Sequence, residues 1–223
     1  FASGLPYMLV FSTLTAWLRD VGISLTVIGF FAWLVLTYSL KFLWAPFVDR
    51  YSVIGFGVFG KRRGWILFSQ FMIFLSLIGM SFIDPLQNIK FLALFAFFAA
   101  FFGSIQDIAI DALRIEIGGA KEQGNLAASY QFGYRVAILV ATSMALIFAD
   151  LLDWAYVYQL MGFLMLIGSA GALICHEPHN LEIAILRFDE ALIGATKDFF
   201  SRFGLWAVAL LLLIISTYRL TDI

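Results

Sequence analysis

The stretch "FFGSIQDIAIDALRIE", residues 101–116, places two aspartates at the end of a long apolar run. The residues before it are mostly Phe, Ala and Leu, which are apolar enough to lie in lipid. Asp107 and Asp111 are four residues apart, and this spacing puts both side chains on one face of a helix. The partners of that face therefore decide how the helix can pack.

The composition of the chain indicates a membrane protein. Of 223 residues, 62% are hydrophobic and 13% are charged, whereas soluble domains have about 25% charged and about 45–50% apolar residues. The net charge of −1 gives no reason to expect a nucleic-acid partner. The single cysteine, Cys175, excludes an internal disulfide, and no Cys/His spacing typical of a metal site occurs.

Six apolar segments have nearly the length that a membrane-spanning helix needs, which is about 20 residues. They are residues 1–18, 27–47, 65–82, 91–113, 126–151 and 155–175, and a seventh begins near Leu205. In lipid, only helices and closed barrels satisfy every backbone polar group, and these segments are too long for barrel strands. The sequence therefore predicts an all-α polytopic membrane protein.

The basic residues of the connectors predict the orientation. Nine Lys or Arg residues lie in the connectors of one side and two in those of the other. Because basic residues accumulate in cytoplasmic loops, residues 48–64, 114–124 and 176–204 are expected in the cytoplasm. Apolar residues recur at helical spacing in the third connector, which predicts an amphipathic helix at the membrane surface.

These observations divide the chain into three parts. Residues 1–175 are expected to form a six-helix transmembrane bundle, and residues 176–204 an amphipathic cytoplasmic linker. Residues 205–223 are expected to begin a seventh helix, which belongs to a C-terminal half that this chain lacks. We expect that half, or a complementary chain, to be required for a central cavity.

Several charged residues lie within the predicted spans or at their edges. They are Lys41, Asp107, Asp111, Arg135, Arg219 and Asp222. An unpaired charge at the bilayer centre costs about 2.5–3.5 kcal/mol on insertion scales, so such residues usually face a bundle interior or a wet cavity. Helices 2, 4, 5 and 7 are therefore expected to face the interior, and the uncharged helices 3 and 6 to face lipid.

The two aspartates of helix 4 belong to one stripe with Gly103 and Arg114. Two carboxylates in a low dielectric resist being ionised together, so one is expected to hold a proton unless a cation pairs with it. Lys41 is predicted to lie at the same membrane depth. The stripe could therefore be a proton site with a cationic partner, or only a set of salt bridges that fixes helix packing.

Arg135 is predicted near the middle of the membrane in helix 5. A guanidinium group binds a carboxylate through two parallel hydrogen bonds, which suits a ligand with a carboxylate group. The alternative is a buried ion pair with no contact to a ligand.

The connector between helices 2 and 3 reads "WAPFVDRYSVIGFGVFGKRRGW", residues 44–65. Asp49 and Arg50 end one helix, and a basic cluster begins the next, formed by Lys61, Arg62 and Arg63. An acid and a cationic cluster at adjoining helix ends could tie the helices together and release them. The cluster could equally be only a cytoplasmic anchor.

Four stretches of the chain together resemble the AmpG-type muropeptide permeases of the major facilitator superfamily. They are "LKFLWAPFVDR", "GKRRGW", "QDIAIDALR" and "YQFGYR", at residues 40–50, 60–65, 106–114 and 130–135. The resemblance implies the N-terminal half of a transporter with helices 1, 2, 4, 5 and 7 around a central cavity. It implies no enzymatic activity and no cofactor, with a proton gradient as the driving force.

The resemblance also implies a function and its residues. Such permeases import N-acetylglucosaminyl-anhydro-N-acetylmuramyl peptides through the inner membrane of Gram-negative bacteria for peptidoglycan recycling. The implied partners are the lipid bilayer and a small glycopeptide. The implied substrate and proton pathway comprises Lys41, Gln106, Asp107, Asp111, Arg114, Arg135, Arg219 and Asp222. The implied conformational latch comprises Asp49, Arg50, Lys61, Arg62 and Arg63.

Other functions are compatible with the same sequence. A related permease could carry another anionic solute, such as acetyl-CoA or a sugar acid. The chain could also be a transport-inactive fragment or a partner subunit. An intramembrane enzyme is disfavoured because no histidine lies in a predicted span, and because Asp107 and Asp111 lack the motif of an aspartyl protease.

Overall fold

The structure is a computed structural model that describes residues 1–119, 121–177, 194, 200–202, 204, 206–211 and 213–214. The contacts divide the chain into two units, Phe1–Leu181 and Glu182–Ile223. In the second unit, residues 206–211 are helical, close to the predicted start of helix 7. Most of the predicted amphipathic linker, together with Arg219 and Asp222, lies outside the described residues.

The described part of the first unit contains no β-strand, a short 3-10 turn at Gly57–Phe59 and six long helices in chain order. They are α1 (residues 4–20), α2 (Leu25–Leu43, continued by Ala45–Arg50), α3 (Lys61–Ser81), α4 (Pro85–Ile117), α5 (Gln123–Ala149) and α6 (Trp154–Ile174). Within the described residues, α2 to α6 are each long and apolar enough to cross a membrane. The prediction of an all-α polytopic membrane protein is therefore confirmed.

Helix α4 is longer than the predicted span of residues 91–113. It begins at Pro85, and the Asp84 side chain caps it by accepting a hydrogen bond from the Leu86 N–H at 2.9 Å. Asn88 has non-helical backbone angles, so the first turn joins the rest of the helix across a kink. The prediction missed this turn because it followed hydropathy, while a helix boundary depends on the capping residue.

An apolar core contains buried residues from all six of these helices. Its fully buried side chains include Leu9 of α1, Leu77 of α3, Leu92 of α4 and Met161 of α6. A second apolar cluster lies nearer to Lys61 and contains Val48, Trp65, Ile66, Leu67, Ile105, Ala109, Leu113 and Ala172. We call the end of the bundle that holds Lys61, Arg62 and Arg63 the basic end.

Helices α1 and α5 pack closely through small side chains and a hydrogen bond. Ala137, Ala141 and Ala145 are fully buried at four-residue spacing along α5, a pattern that lets helix backbones approach each other in membranes. Both helices contain a π-helical segment, Leu9–Thr13 in α1 and Val140–Met144 in α5. The Thr13 hydroxyl donates to the Ala141 carbonyl at 2.5 Å, which links the two segments.

The burial of the helices does not follow their charge content, from which helices 2, 4, 5 and 7 were expected to face the interior and helices 3 and 6 to face lipid. Helix α3 has no charge in its predicted span, yet 61% of its most apolar window is buried, compared with 17% in α2 and 17% in α5. Helix α3 is buried because it packs against both α4 and α6. The charge content of a helix does not report this packing, so the lipid contact of helices 3 and 6 stays a prediction.

We predict that Thr13→Val destabilises the bundle. The substitution keeps the shape of the side chain but removes the hydroxyl that bonds to the Ala141 carbonyl of α5. The loss of one such bond costs about 0.5–1.5 kcal/mol. The melting temperature of the detergent-solubilised protein should therefore fall, as measured by intrinsic tryptophan fluorescence.

The control is Thr15→Val, because Thr15 is exposed and its hydroxyl bonds only within α1, to the Phe11 carbonyl at 3.3 Å. A β-branched residue is present in both variants, so helix propensity changes equally. Equal melting temperatures for the two variants would contradict a stabilising contact between α1 and α5.

Candidate functional site

Helices α2 and α4 bring Lys41 close to Asp111. The Lys41 Nζ lies 4.0 Å from Asp111 Oδ2, and Arg114 Nη2 lies 3.4 Å from Asp111 Oδ1. Asp111 is therefore the carboxylate that both cations share. The side chains of Lys41 and Asp111 are 42% and 37% exposed, so the pair can separate at low cost.

Asp107 lies one helical turn before Asp111 and is less accessible. Its Oδ1 is buried and has no hydrogen-bond partner among the described residues. Its electrostatic neighbours include Lys41, Asp111 and the Ser3 side chain. The two carboxylates of the predicted stripe thus differ, because one is held by two cations and the other has an oxygen without a partner.

Gln106 anchors the beginning of α1 to α4. Its side chain is fully buried, and its Nε2 donates to the Ala2 carbonyl at 2.8 Å. Its Oε1 has no partner among the described residues. Gln106 therefore holds Ala2, and with it the neighbouring Ser3, close to Asp107.

Tyr38 and Tyr130, which the sequence did not single out, interact electrostatically with Asp107. Tyr7 and Phe11 of α1 pack against Tyr38 of α2, with ring centroids 5.1 and 5.7 Å from that of Tyr38. The Arg114 guanidinium lies over the ring of Tyr130 of α5 at 5.1 Å. Because 17% of the residues are aromatic, only the tertiary contacts distinguish this group. The four-residue spacing of Tyr7 and Phe11 was the available signal.

Arg135 does not join the aspartates. It is exposed on α5 between Phe132, which is 73% exposed, and Val136, which is 36% exposed. No salt bridge of Arg135 is present in the described part of the chain. The structure therefore brings together Lys41, Gln106, Asp107, Asp111 and Arg114 of the predicted pathway, and leaves Arg135 on an uncovered surface.

A second charged cluster lies at the basic end and centres on Arg62. The guanidinium group is buried, and its Nη1 lies 2.5 Å from Asp49 Oδ1. Its Nε and Nη2 lie 2.9 and 2.8 Å from Glu116 Oε1. Charge-assisted hydrogen bonds of this kind are stronger than neutral ones. Arg62 therefore ties the ends of α2, α3 and α4 together.

The other basic residues of this cluster contact backbone atoms. Arg63 donates to the carbonyls of Ala172 at 2.8 Å and Leu173 at 2.6 Å, and these carbonyls belong to the last turn of α6. Lys61 donates to the Asp49 carbonyl. Arg50 is exposed, and its guanidinium lies 5.5 Å from the Tyr51 ring centroid. The structure thus brings together the residues predicted to form a latch, except for Arg50, and their role as a latch stays a prediction.

Glu177 completes the basic end by capping α3. Its carboxylate accepts the backbone N–H groups of Arg62 at 2.9 Å and Arg63 at 3.0 Å, where the helix dipole favours a negative charge. Gly60 precedes this turn with a φ of 110°, and a Cβ there would overlap the Glu177 carboxylate. Sequence reasoning missed both Glu116 and Glu177, although Glu116 is the last residue of the stretch at 101–116.

We predict that Arg62→Met destabilises the basic end more than Arg50→Met does. Removing the Arg62 guanidinium leaves Asp49 and Glu116 without their shared cation, whereas Arg50 is exposed and lies over a ring. Breaking a buried ion pair costs about 3–5 kcal/mol. Hydrogen exchange of the amides at the start of α3 and the end of α4 should therefore be faster in the Arg62 variant.

Equal exchange in the Arg62→Met and Arg50→Met variants would show that the buried cluster does not hold the three helices. The two substitutions remove the same charge on either side of the connector between α2 and α3. A difference between them therefore reports the contacts and not the net charge.

Comparisons with known proteins agree with this architecture. The model of the Major Facilitator Superfamily matches residues 1–221. The chain is 37% identical over 223 residues to the anhydromuropeptide permease of Escherichia coli K12, and covers 44% of that relative. It is 31% identical over 220 residues to the putative transporter AmpG 4 of Rickettsia felis, and covers 53% of it.

The chain thus spans about half the length of the curated relatives it matches. The family match covers nearly all of its residues, and the expected resemblance to the AmpG-type permeases is confirmed. The chain is a multi-pass membrane protein and belongs to the major facilitator superfamily.

Proposed function

We propose that this chain forms the N-terminal half of a proton-coupled transporter that imports anhydromuropeptides. The similarity to the Escherichia coli permease extends over the whole chain. The single structural observation that carries the proposal is the cluster of two carboxylates and two cations formed by α2 and α4. Its members are Lys41, Asp107, Asp111 and Arg114.

The charge balance of the cluster supports coupling between a proton and an anionic substrate. With all four side chains ionised, two negative and two positive charges cancel. One added proton leaves a net charge of +1, which a carboxylate of a muropeptide can neutralise. Uncompensated charge is costly in a low dielectric. Binding of the proton therefore favours binding of the substrate carboxylate, and binding of the carboxylate favours binding of the proton. Such coupling is reciprocal between the two ligands.

The exposed pairing of Lys41 with Asp111 supports exchange between internal and substrate partners. At 4.0 Å the ammonium group is close to the carboxylate, but the pair is accessible to solvent. Lys41 can therefore leave Asp111 for a substrate carboxylate without uncovering a deeply buried charge. Arg114 Nη2, at 3.4 Å from Asp111 Oδ1, would then keep the Asp111 carboxylate in place.

The uncovered faces of α2 and α5 support the need for a second half. These are the least buried of the candidate spans in the described part of the chain, and Arg135 lies on one of them. We propose that the C-terminal half covers these faces and encloses the cavity. Arg135, Arg219 and Asp222 would then meet the substrate or the second half.

The basic end is proposed to lie in the cytoplasm of a bacterium, with the transporter in the inner membrane. Its high density of Lys and Arg fits the cytoplasmic side of a membrane protein. The contacts of Arg62 with Asp49 and Glu116 would act as a latch that opens when the two halves of the transporter rearrange. Arg50 would contribute only charge to this end.

A related permease for another anionic solute is the second candidate. Lys41 and Arg114 would attract acetyl-CoA or a sugar acid by the same charge balance. The similarity to the Escherichia coli permease favours a muropeptide over these solutes. A transport-inactive partner subunit would need no carboxylate cluster inside the membrane.

We predict that Asp107→Asn abolishes accumulation of the substrate. The amide keeps the size of the side chain but cannot exchange a proton, so the gradient no longer drives uptake. The test uses this chain completed by the C-terminal half of the Escherichia coli permease, in cells without their own importer. Uptake of labelled anhydromuropeptide is measured with and without a protonophore, at membrane levels matched by blotting.

The control is Asp150→Asn, because Asp150 is exposed in the connector between α5 and α6. This variant should accumulate substrate like the completed wild-type chain, and residues 1–223 alone should not. Normal accumulation by Asp107→Asn would show that this carboxylate only supports packing. A completed chain that reaches the membrane and imports no muropeptide would contradict the proposed substrate.

A further inference from the structure

Buried polar atoms without partners are concentrated around Asp107. Among the described residues there are seven such atoms, and two of them, Ser69 Oγ and Gln70 Nε2, belong to α3. The other five come from the start of the chain, α2 and α4: Ser3 Oγ, Tyr38 Oη, Gln106 Oε1, Asp107 Oδ1 and Arg114 Nε. A buried polar group without a hydrogen bond costs about 1–3 kcal/mol, and native structures contain few of them. The concentration therefore indicates that a polar ligand or ordered water completes this region.

Tyr38 reaches this region because Gly103 leaves space for its hydroxyl. A Cβ at position 103 would overlap the Tyr38 Oη. Gly103 is one helical turn before Asp107 on the same stripe, and Tyr38 interacts electrostatically with Asp107. The phenol is therefore placed at the backbone of α4, close to Asp107, whose Oδ1 has no partner among the described residues.

The ring of Tyr38 is held by two other rings. Tyr7 meets it edge-on at 5.1 Å with an interplanar angle of 85°, and Phe11 meets it at 5.7 Å with an angle of 74°. Such edge contacts are the favoured geometry of aromatic pairs. The direction of the Tyr38 hydroxyl is therefore set before any ligand binds, which is what a binding site requires.

Tyr38 and Asp107 differ in chemistry from Lys41 and Arg114, the two cations beside Asp111. A phenol hydroxyl donates a hydrogen bond, and a carboxylate oxygen accepts one. Together they suit a neutral group that both accepts and donates, which describes a hydroxyl or an acetamido group. A protonated Asp107 still offers an acceptor oxygen, and an ionised Asp107 would repel an anionic group at this position. Lys41 and Arg114, by contrast, suit a carboxylate.

The neutral end of the site, formed by Tyr38 and Asp107, and its cationic end, formed by Lys41 and Arg114, are separated along α4 by a distance that a glycopeptide can span. The neutral end lies between Gly103 and Asp107, and the cationic end lies between Asp111 and Arg114. At a rise of about 1.5 Å per residue, their centres are about 11 Å apart. A single molecule with amino sugars at one end and peptide carboxylates at the other can occupy both.

We infer that Tyr38 and Asp107 form a subsite for the acetamido or hydroxyl groups of an amino sugar, separate from the carboxylate subsite of Lys41 and Arg114. This inference rests on the proposed function and names the part of the substrate that each end receives. Tyr38 donates to the sugar oxygen, and Asp107 accepts from the sugar O–H or N–H. Gly103 keeps the space that the phenol occupies.

The test is competition for muropeptide uptake by the chain completed as described above. Two competitors are used, the disaccharide N-acetylglucosaminyl-anhydro-N-acetylmuramic acid without peptide, and the free peptide without sugar. In Tyr38→Phe, about three- to tenfold more disaccharide should be needed for half inhibition, as expected for the loss of one neutral hydrogen bond. Inhibition by the free peptide should not change.

Two further variants guard against an effect of folding alone. Gly103→Ala keeps the phenol but displaces its hydroxyl, so it should reproduce the loss of disaccharide inhibition. Tyr158→Phe removes another buried hydroxyl, which donates to the Leu9 carbonyl at 3.0 Å. Loss of this hydroxyl should lower the stability of the bundle. The ratio between the disaccharide and peptide concentrations needed for half inhibition should stay as in the wild-type chain.

The inference fails if Tyr38→Phe needs the same disaccharide concentration as the wild-type chain, which would mean that only water occupies the subsite. It also fails if inhibition by disaccharide and by peptide weakens equally. In both cases muropeptide uptake by the wild type would leave the proposed function intact. If the completed wild-type chain imports no muropeptide, the proposed function fails and the inference falls with it.

Discussion

The pairing of acidic residues on α4 with cations from other helices is the constraint on which the rest of the bundle depends. Asp111 meets Lys41 of α2, and Glu116 meets Arg62 of α3. Charge inside an apolar bundle is tolerated only where it is paired or hydrated. The buried guanidinium of Arg62 therefore ties α2, α3 and α4 together at the basic end, whereas Lys41 and Asp111 form an accessible pair. Asp107 keeps one oxygen without a partner among the described residues.

Helix α4 carries its apolar contacts and its charged contacts on different faces. Ala109 and Leu113 belong to the apolar cluster that includes Trp65 and Ile66 of α3. Asp107 and Asp111 interact with Lys41 of α2. Close packing on the apolar face fixes the helix, so the polar face keeps its geometry.

The packing of α1 against α5 supports the site indirectly. Gly4 lies so close to α5 that a Cβ there would be 2.9 Å from the Tyr134 carbonyl, and Thr13 bonds to Ala141 further along. These contacts fix the beginning of α1, where the Ala2 carbonyl accepts from Gln106. Small residues between α1 and α5 thus help to place Ser3 beside Asp107.

The sequence by itself determined the membrane class, the approximate spans and the chemistry of the α4 stripe. Hydropathy and charge are local properties, and the four-residue spacing of Asp107 and Asp111 needs only a helix. Tertiary structure decided the partners: Lys41 reaches Asp111, Arg135 stays exposed, and Glu116 and Glu177 join the basic end. It also singled out Tyr38 among many aromatic residues. These outcomes depend on which helices are neighbours, and a single sequence does not contain that information in any local pattern.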